Sequence, residues 1–179
     1  MNSMFDSLYD LLRAPLNPVG GIKTDNSIFL IYPPEKELDF KEDLLDGFFP
    51  LLTSKGVSFR QFDLADFLFT AMDEKSLENL QEDEFDEYHW MKQGLSKRIE
   101  QALQNRLAEI SGENPGAAIF VYSTMAIYPL VRFGEVQQGF RELNCRIIFA
   151  FPGEERGGKL HFMNQPNGGN YLAVKLFWQ

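Results

Sequence analysis

Two short, almost wholly apolar runs constrain this chain more than anything else in it. They are Ala117–Tyr122 and Arg146–Phe151, at the two ends of the stretch from Gly116 to Gly153. Apolar runs of this length, bounded by turn residues, read as strands buried on both faces, as a parallel sheet requires. Between them lies one amphipathic segment that starts after Ser123-Thr124, with Tyr128-Pro129 opening the helix proper. A strand, a crossover helix and a second parallel strand form a right-handed βαβ unit.

The rest of the chain repeats the alternation. Met4–Arg13 carries an apolar stripe at helical spacing, and Asn26–Tyr32 is a buried strand stopped by Pro33-Pro34. Glu35–Lys55 reads as a helix that Pro50 kinks or splits, closed by Gly56. Val57–Phe62 is the next strand, and Asp63 caps a helix holding Leu64, Phe67 and Leu68. A long helix follows from Tyr88 to Ile110. Lys159–Asn164 and Tyr171–Phe177 flank Asn167-Gly168, a hairpin signal. The expected fold class is therefore α/β: one domain over residues 1–179, with an open, mainly parallel Rossmann-like sheet in the order 2-1-3-4. Helices cover both faces, and a C-terminal antiparallel β-hairpin adds to the far edge.

At 179 residues the chain supports one substantial core, to which 17 Phe contribute. The net charge of −9 repels phosphate backbones, so no direct nucleic-acid binding is expected. The long helix does gather Lys92, Lys97, Arg98 and Arg106. Cys145 stands alone, which excludes an intramolecular disulfide and a cysteine zinc site, and its apolar setting reads as a buried thiol. No apolar run reaches membrane-spanning length and the first residues lack a signal peptide's pattern, so a soluble, intracellular chain with no membrane contact is expected.

In such a sheet, ligands bind beyond the carboxyl ends of the strands. That rim should carry Tyr32, Asp63, Ser123, Thr124, Tyr128, Arg132, Gly153 and Glu154. Ser123 and Thr124 either cap the following helix or expose N–H groups to an anion. Arg132, one turn beyond Tyr128, either holds a phosphate or carboxylate or pairs with Glu135, Glu142 or Glu154. Residues 73–87 are dominated by Asp and Glu. They form either a solvated surface or, through Glu82, Asp83, Glu84, Asp86 and Glu87, a docking segment for a basic partner. The run Gly153 to Lys159 has phosphate-loop spacing, but Leu160 replaces the magnesium-binding hydroxyl and a strand follows, so it reads as a turn. His89 and His161 have no companion at metal-ligand spacing, and there is no G-x-S-x-G elbow. No catalytic residue, metal or cofactor is expected from these patterns.

Four blocks of sequence resemble a family, BrxB of the BREX phage-defence systems. They are Leu30-Ile31-Tyr32-Pro33-Pro34-Glu35-Lys36-Glu37-Leu38, Phe62-Asp63-Leu64, Ile127-Tyr128-Pro129-Leu130-Val131-Arg132 and Phe149-Ala150-Phe151-Pro152-Gly153. The resemblance covers nearly the whole chain. It departs where Phe133-Gly134 stand in place of a frequent Ser-His, and where Asn170-Tyr171-Leu172-Ala173 keeps one Tyr of a frequent Tyr-Tyr-Arg run. It implies a small cytoplasmic component of a system that methylates host DNA and blocks phage. The company it implies is a methyltransferase, an ATPase and a PglZ-type protein. It carries over no catalytic residue, and it suits an interaction or scaffold role; a small enzyme or a nucleotide- or phosphate-sensing domain using the strand-end crevice is the alternative.

Overall fold

The computed structural model of the protein describes residues 3–16, 26–71, 88–128, 130–131, 140, 143–166, 168–169 and 173–179, with only the backbone described for 88–93. The chain is α/β, with a mostly parallel open sheet between helices. Its elements are α1 (Ser3–Arg13), β1 (Ser27–Tyr32), α2 (Glu37–Glu42), α3 (Phe49–Ser54), β2 (Phe59–Asp63), α4 (Leu64–Ala71), α5 (Tyr88–Glu113), β3 (Ala118–Tyr122), β4 (Ile147–Arg156), β5 (Lys159–Phe162) and β6 (Val174–Phe177).

The sheet runs β2-β3-β4-β1-β6, not 2-1-3-4. β1 pairs in parallel with β4, Ser27 opposite Ile147 through Tyr32 opposite Pro152, and with β6 on its other side. All six residues of β1 are buried, which a strand achieves only with neighbours on both edges and helices on both faces. β2 carries Arg60 and Gln61 exposed and takes the edge beside β3. The crossover from β1 to β2 therefore passes over two strands, and the crossover from β2 to β3 runs back the other way. Right-handed connections in opposite directions must use opposite faces. Accordingly α1, α2 and α3 pack on Ile28, Leu30, Phe120 and Ile148, while α4 and α5 pack on Phe29, Ile119, Ile147 and Phe149. Strands β1 to β4 feed both cores by their alternation of side chains. In α5 the buried residues Leu95, Ile99, Leu103 and Leu107 recur every fourth position.

Pro50 splits the second helix as its chemistry demands. It sits in the first turn of α3, where a missing N–H breaks no bond. The turn before it, Asp43–Phe48, widens to a π-helix. Gly56, at φ +67°, closes α3: its N–H reaches Thr53 O at 3.1 Å and that of Val57 reaches Leu52 O at 3.0 Å. After β3 comes a 3₁₀ turn, Thr124–Ile127. The helix expected beyond it falls largely on residues 129, 132–139 and 141–142, which lie outside the described residues.

The terminal hairpin needs a second correction. β5 pairs antiparallel with the end of β4, Arg156 opposite Lys159, around Gly157 and Gly158 at φ +57° and +77°. A two-residue turn with both φ positive matches the twist of paired strands, so this Gly-Gly makes a hairpin; Leu160 of β5 also bridges Gly169 antiparallel, while Asn167 lies outside the described residues. β6 goes instead to the opposite side of the sheet, parallel to β1. The segment with phosphate-loop spacing is thus a hairpin turn. Gly153 is required by it, because a Cβ there would lie 2.2 Å from the His161 carbonyl oxygen. Gly153→Ala should lower the unfolding free energy by about 1–3 kcal/mol, as overpacking against rigid backbone does. Urea denaturation checks this, and an unchanged midpoint would refute it.

Candidate functional site

The carboxyl ends of β1, β2 and β3 bring Tyr32, Asp63, Ser123 and Thr124 to one rim, and α2 lays Glu37 and Lys41 across it. The loops after β1 and β3 leave towards opposite faces, since Phe40 and Leu44 join one core and Ile127 and Val131 the other. β4 lies between them.

Glu37 and Lys41 are one helical turn apart and both project inwards. The Lys41 ammonium donates to Ser123 Oγ at 3.0 Å and reaches Asp63 Oδ2 at 3.5 Å. It also stands 5.4 Å from the centre of the Tyr122 ring, within cation–π range. Asp63 Oδ1 accepts the Ala65 N–H at 2.9 Å, so this residue caps α4 while its other oxygen faces Lys41. The buried Tyr32 hydroxyl donates to Glu37 Oε2, and its ring stacks on Phe40 at 3.9 Å. Burial first, and then the Glu37 charge, push the Tyr32 phenol far above its ordinary value. The Tyr122 phenol is pushed up to about 12 by burial, then by Asp63 and Asp66.

Ser123 holds a left-handed backbone, φ +56° and ψ +37°. A non-glycine residue there costs about 1–2 kcal/mol. The turn keeps it because this conformation ends the strand and aims the hydroxyl at Lys41. No side chain caps the 3₁₀ turn, and the fully buried Thr124 donates its hydroxyl to Ala150 O at 2.7 Å. Thr124 is a rivet between β3 and β4.

The other rim residues stand apart from this cluster. The Tyr128 ring lies 5.7 Å from that of Phe162, and Glu154 pairs with Arg156 at 2.7 Å. Gly153 serves the hairpin. Arg132 and the segment Glu82, Asp83, Glu84, Asp86 and Glu87 lie outside the described residues. Glu37, Lys41 and Tyr122 were not singled out from sequence. The usable signal was a Glu-to-Lys pair at four-residue spacing directly after the proline pair that ends β1. Elsewhere, Cys145 is buried and its thiol is raised by that burial. His161 is buried with Nδ1 2.7 Å from Gln165 O.

Glu37 gives the cluster a pH signature. Burial raises its carboxyl above the ordinary 4.5, against the lowering effects of Tyr32 and Lys41, and Asp63 adds to the rise. The folded state thus holds this proton more tightly than the unfolded chain. Its contribution to stability is greatest below the ordinary value and is lost as pH rises through the folded one. Glu37→Gln keeps an acceptor for Tyr32 and removes the charge. It should be more stable than wild type at pH 7, with the gap closing below pH 4.5. Thermal melts at both pH values decide; a less stable variant at pH 7 contradicts the assignment.

Among the described residues no group of three or more His, Cys, Asp or Glu is placed to hold a metal ion, and no helix is long and apolar enough to cross a membrane. No family model matches the chain, and comparison with curated proteins and with solved structures finds no match.

Proposed function

We propose that this chain is a non-catalytic interaction module of a BREX-type anti-phage system, of the BrxB kind, docking a PglZ-type partner in the bacterial cytoplasm. Leu38 carries the reading. It belongs to the first block of the resemblance, in the helical turn that sets Glu37 on the rim, and it is 80% exposed. A lone exposed leucine is ordinary on a protein surface, so what supports a contact here is its place in a block of the resemblance, beside an ordered polar cluster. The described parts of the four blocks lie at the carboxyl ends of strands: Pro33–Leu38 follows β1, Leu64 follows β2, Ile127 closes the 3₁₀ turn after β3, and Phe149–Gly153 runs to the carboxyl end of β4's parallel pairing.

Pull-down from a host carrying the whole defence operon tests this. Wild type should capture the PglZ-type protein, and Leu38→Asp should lose it while melting within a degree or two of wild type. Equal capture by the variant, or no operon protein captured by either, defeats the proposal.

The strained Ser123 beneath Lys41 favours a second reading, a small enzyme or a nucleotide- or phosphate-sensing domain. Backbone strain of this kind gathers at functional sites. Nucleotides with and without magnesium, screened by thermal shift, separate the two. A ligand at 100 times its dissociation constant stabilises the fold by about 2.7 kcal/mol. A shift that Lys41→Met abolishes would favour the second reading.

A further inference from the structure

At the opposite end of the sheet, the residues leading into β2, β3 and β4 and the end of α1 enclose a cleft of about 580 Å³. Clefts of roughly 300–1,000 Å³ take small organic ligands, usually between apolar walls with a few placed polar groups. This one has that make-up. Leu12, Leu16 and Val57 supply apolar wall, Arg13 and Arg146 supply two guanidinium groups, and its described lining holds no Asp or Glu. The sign is the reverse of the chain's, which carries −9 overall.

The two arginines keep capacity for a ligand. Arg146 is half-buried, and desolvation alone pulls its guanidinium below the ordinary value. It donates from Nη2 to Ala14 O at 3.0 Å, closing the end of α1. A guanidinium has five N–H donors in a planar fork, and among the described residues this bond engages one of them. The Arg13 Cζ lies 5.7 Å from the centre of the Tyr9 ring. That contact uses the field of the cation and consumes no N–H.

We propose that this cleft binds a small organic anion, a carboxylate or phosphate group on an apolar body, with Arg13 and Arg146 taking the oxyanion and Leu12 and Leu16 the body. Planar forks match both oxyanions in bidentate geometry, and at Arg146 partial burial strengthens a pairing that the exposed Arg13 alone would lose to water. The site lies at the amino ends of the strands, so it is independent of the rim and of whatever docks there.

Titration of the isotope-labelled full chain with hexyl phosphate, hexanoate and hexanol, followed by backbone amide shifts, tests it. At least one anion should give saturable shifts at Ser58, Gly116 and Asn144, and the tighter of the two names the source. Arg146→Gln and Arg13→Gln should each weaken that anion by about tenfold or more, equivalent to about 1.4 kcal/mol. Should Arg146→Gln fail to fold, Arg13→Gln decides alone. No saturation with either anion overturns the proposal. So does hexanol binding as well as the anions, or wild-type affinity in the folded variants.

Discussion

Phe40→Ala should lower the unfolding free energy by about 3–5 kcal/mol, the range for deleting a buried aromatic ring. Phe40 is at the centre of the face that joins α1, α2 and β1 to the carboxyl-terminal residues. It stacks on Tyr32 at 3.9 Å, and lies 6.5 Å from the Phe5 ring and 6.3 Å from the Trp178 ring. Close packing leaves nothing able to move into the space without losing its own contacts. Tyr32 would lose the ring that fixes its hydroxyl against Glu37. The effect should therefore reach the rim as well, and partner capture should fall with stability. Urea unfolding measures the first. A loss below 1.5 kcal/mol would mean that the site collapses easily.

Asn26→Ala should be nearly as costly for a different reason. Asn26 is buried, and its side-chain amide donates to the carbonyls of Phe140 and Leu143 at 2.8 and 3.0 Å. Its own carbonyl accepts the Ile147 N–H at 2.8 Å. One amide thus ties the connection between β3 and β4 to the start of β1. Alanine leaves the Leu143 carbonyl without that donor, a loss of about 1–3 kcal/mol where water cannot reach, while the Phe140 carbonyl keeps the Leu143 N–H at 3.1 Å. Asn26→Asp should be at least as damaging, because it sets an acceptor against two acceptors. Calorimetry on both variants checks the pair, and a stable Asn26→Asp would show that water enters there.

Much of this fold was legible because buried parallel strands write themselves as unbroken apolar runs. Ser27–Tyr32, Ala118–Tyr122 and the first half of β4 are of that kind. Their order was not legible for the same reason. Three strands buried on both faces carry the same pattern, and nothing in Ile28 or Phe120 says which neighbour it will have. The expected order 2-1-3-4 put β2 at an edge, where it is, but beside β1 rather than β3. The hairpin was placed one turn too late because β4 was expected to end at Phe151, whereas it runs on to Arg156 and meets β5 across Gly157-Gly158. At the rim, Tyr32, Asp63 and Ser123 were visible as residues following strands. Glu37 and Lys41 were hidden, since a Glu and a Lys four apart on a helix ordinarily face water.

The place of β1 has a consequence for the order in which the chain can assemble. It precedes the other described strands of this sheet along the chain, yet its partners are β4 and β6, roughly 120 and 146 residues further along. Domains often begin to fold from the amino end as they leave the ribosome. Here the most apolar early segment emerges with both edges open. It stays so until residues 147–177 follow, while β2 and β3 can already pair. Contacts so distant in sequence slow folding and leave sticky strand edges exposed meanwhile. A nascent chain stalled before β4 should therefore be held by chaperones, and release should coincide with the appearance of Ile147–Phe151 rather than grow evenly with length.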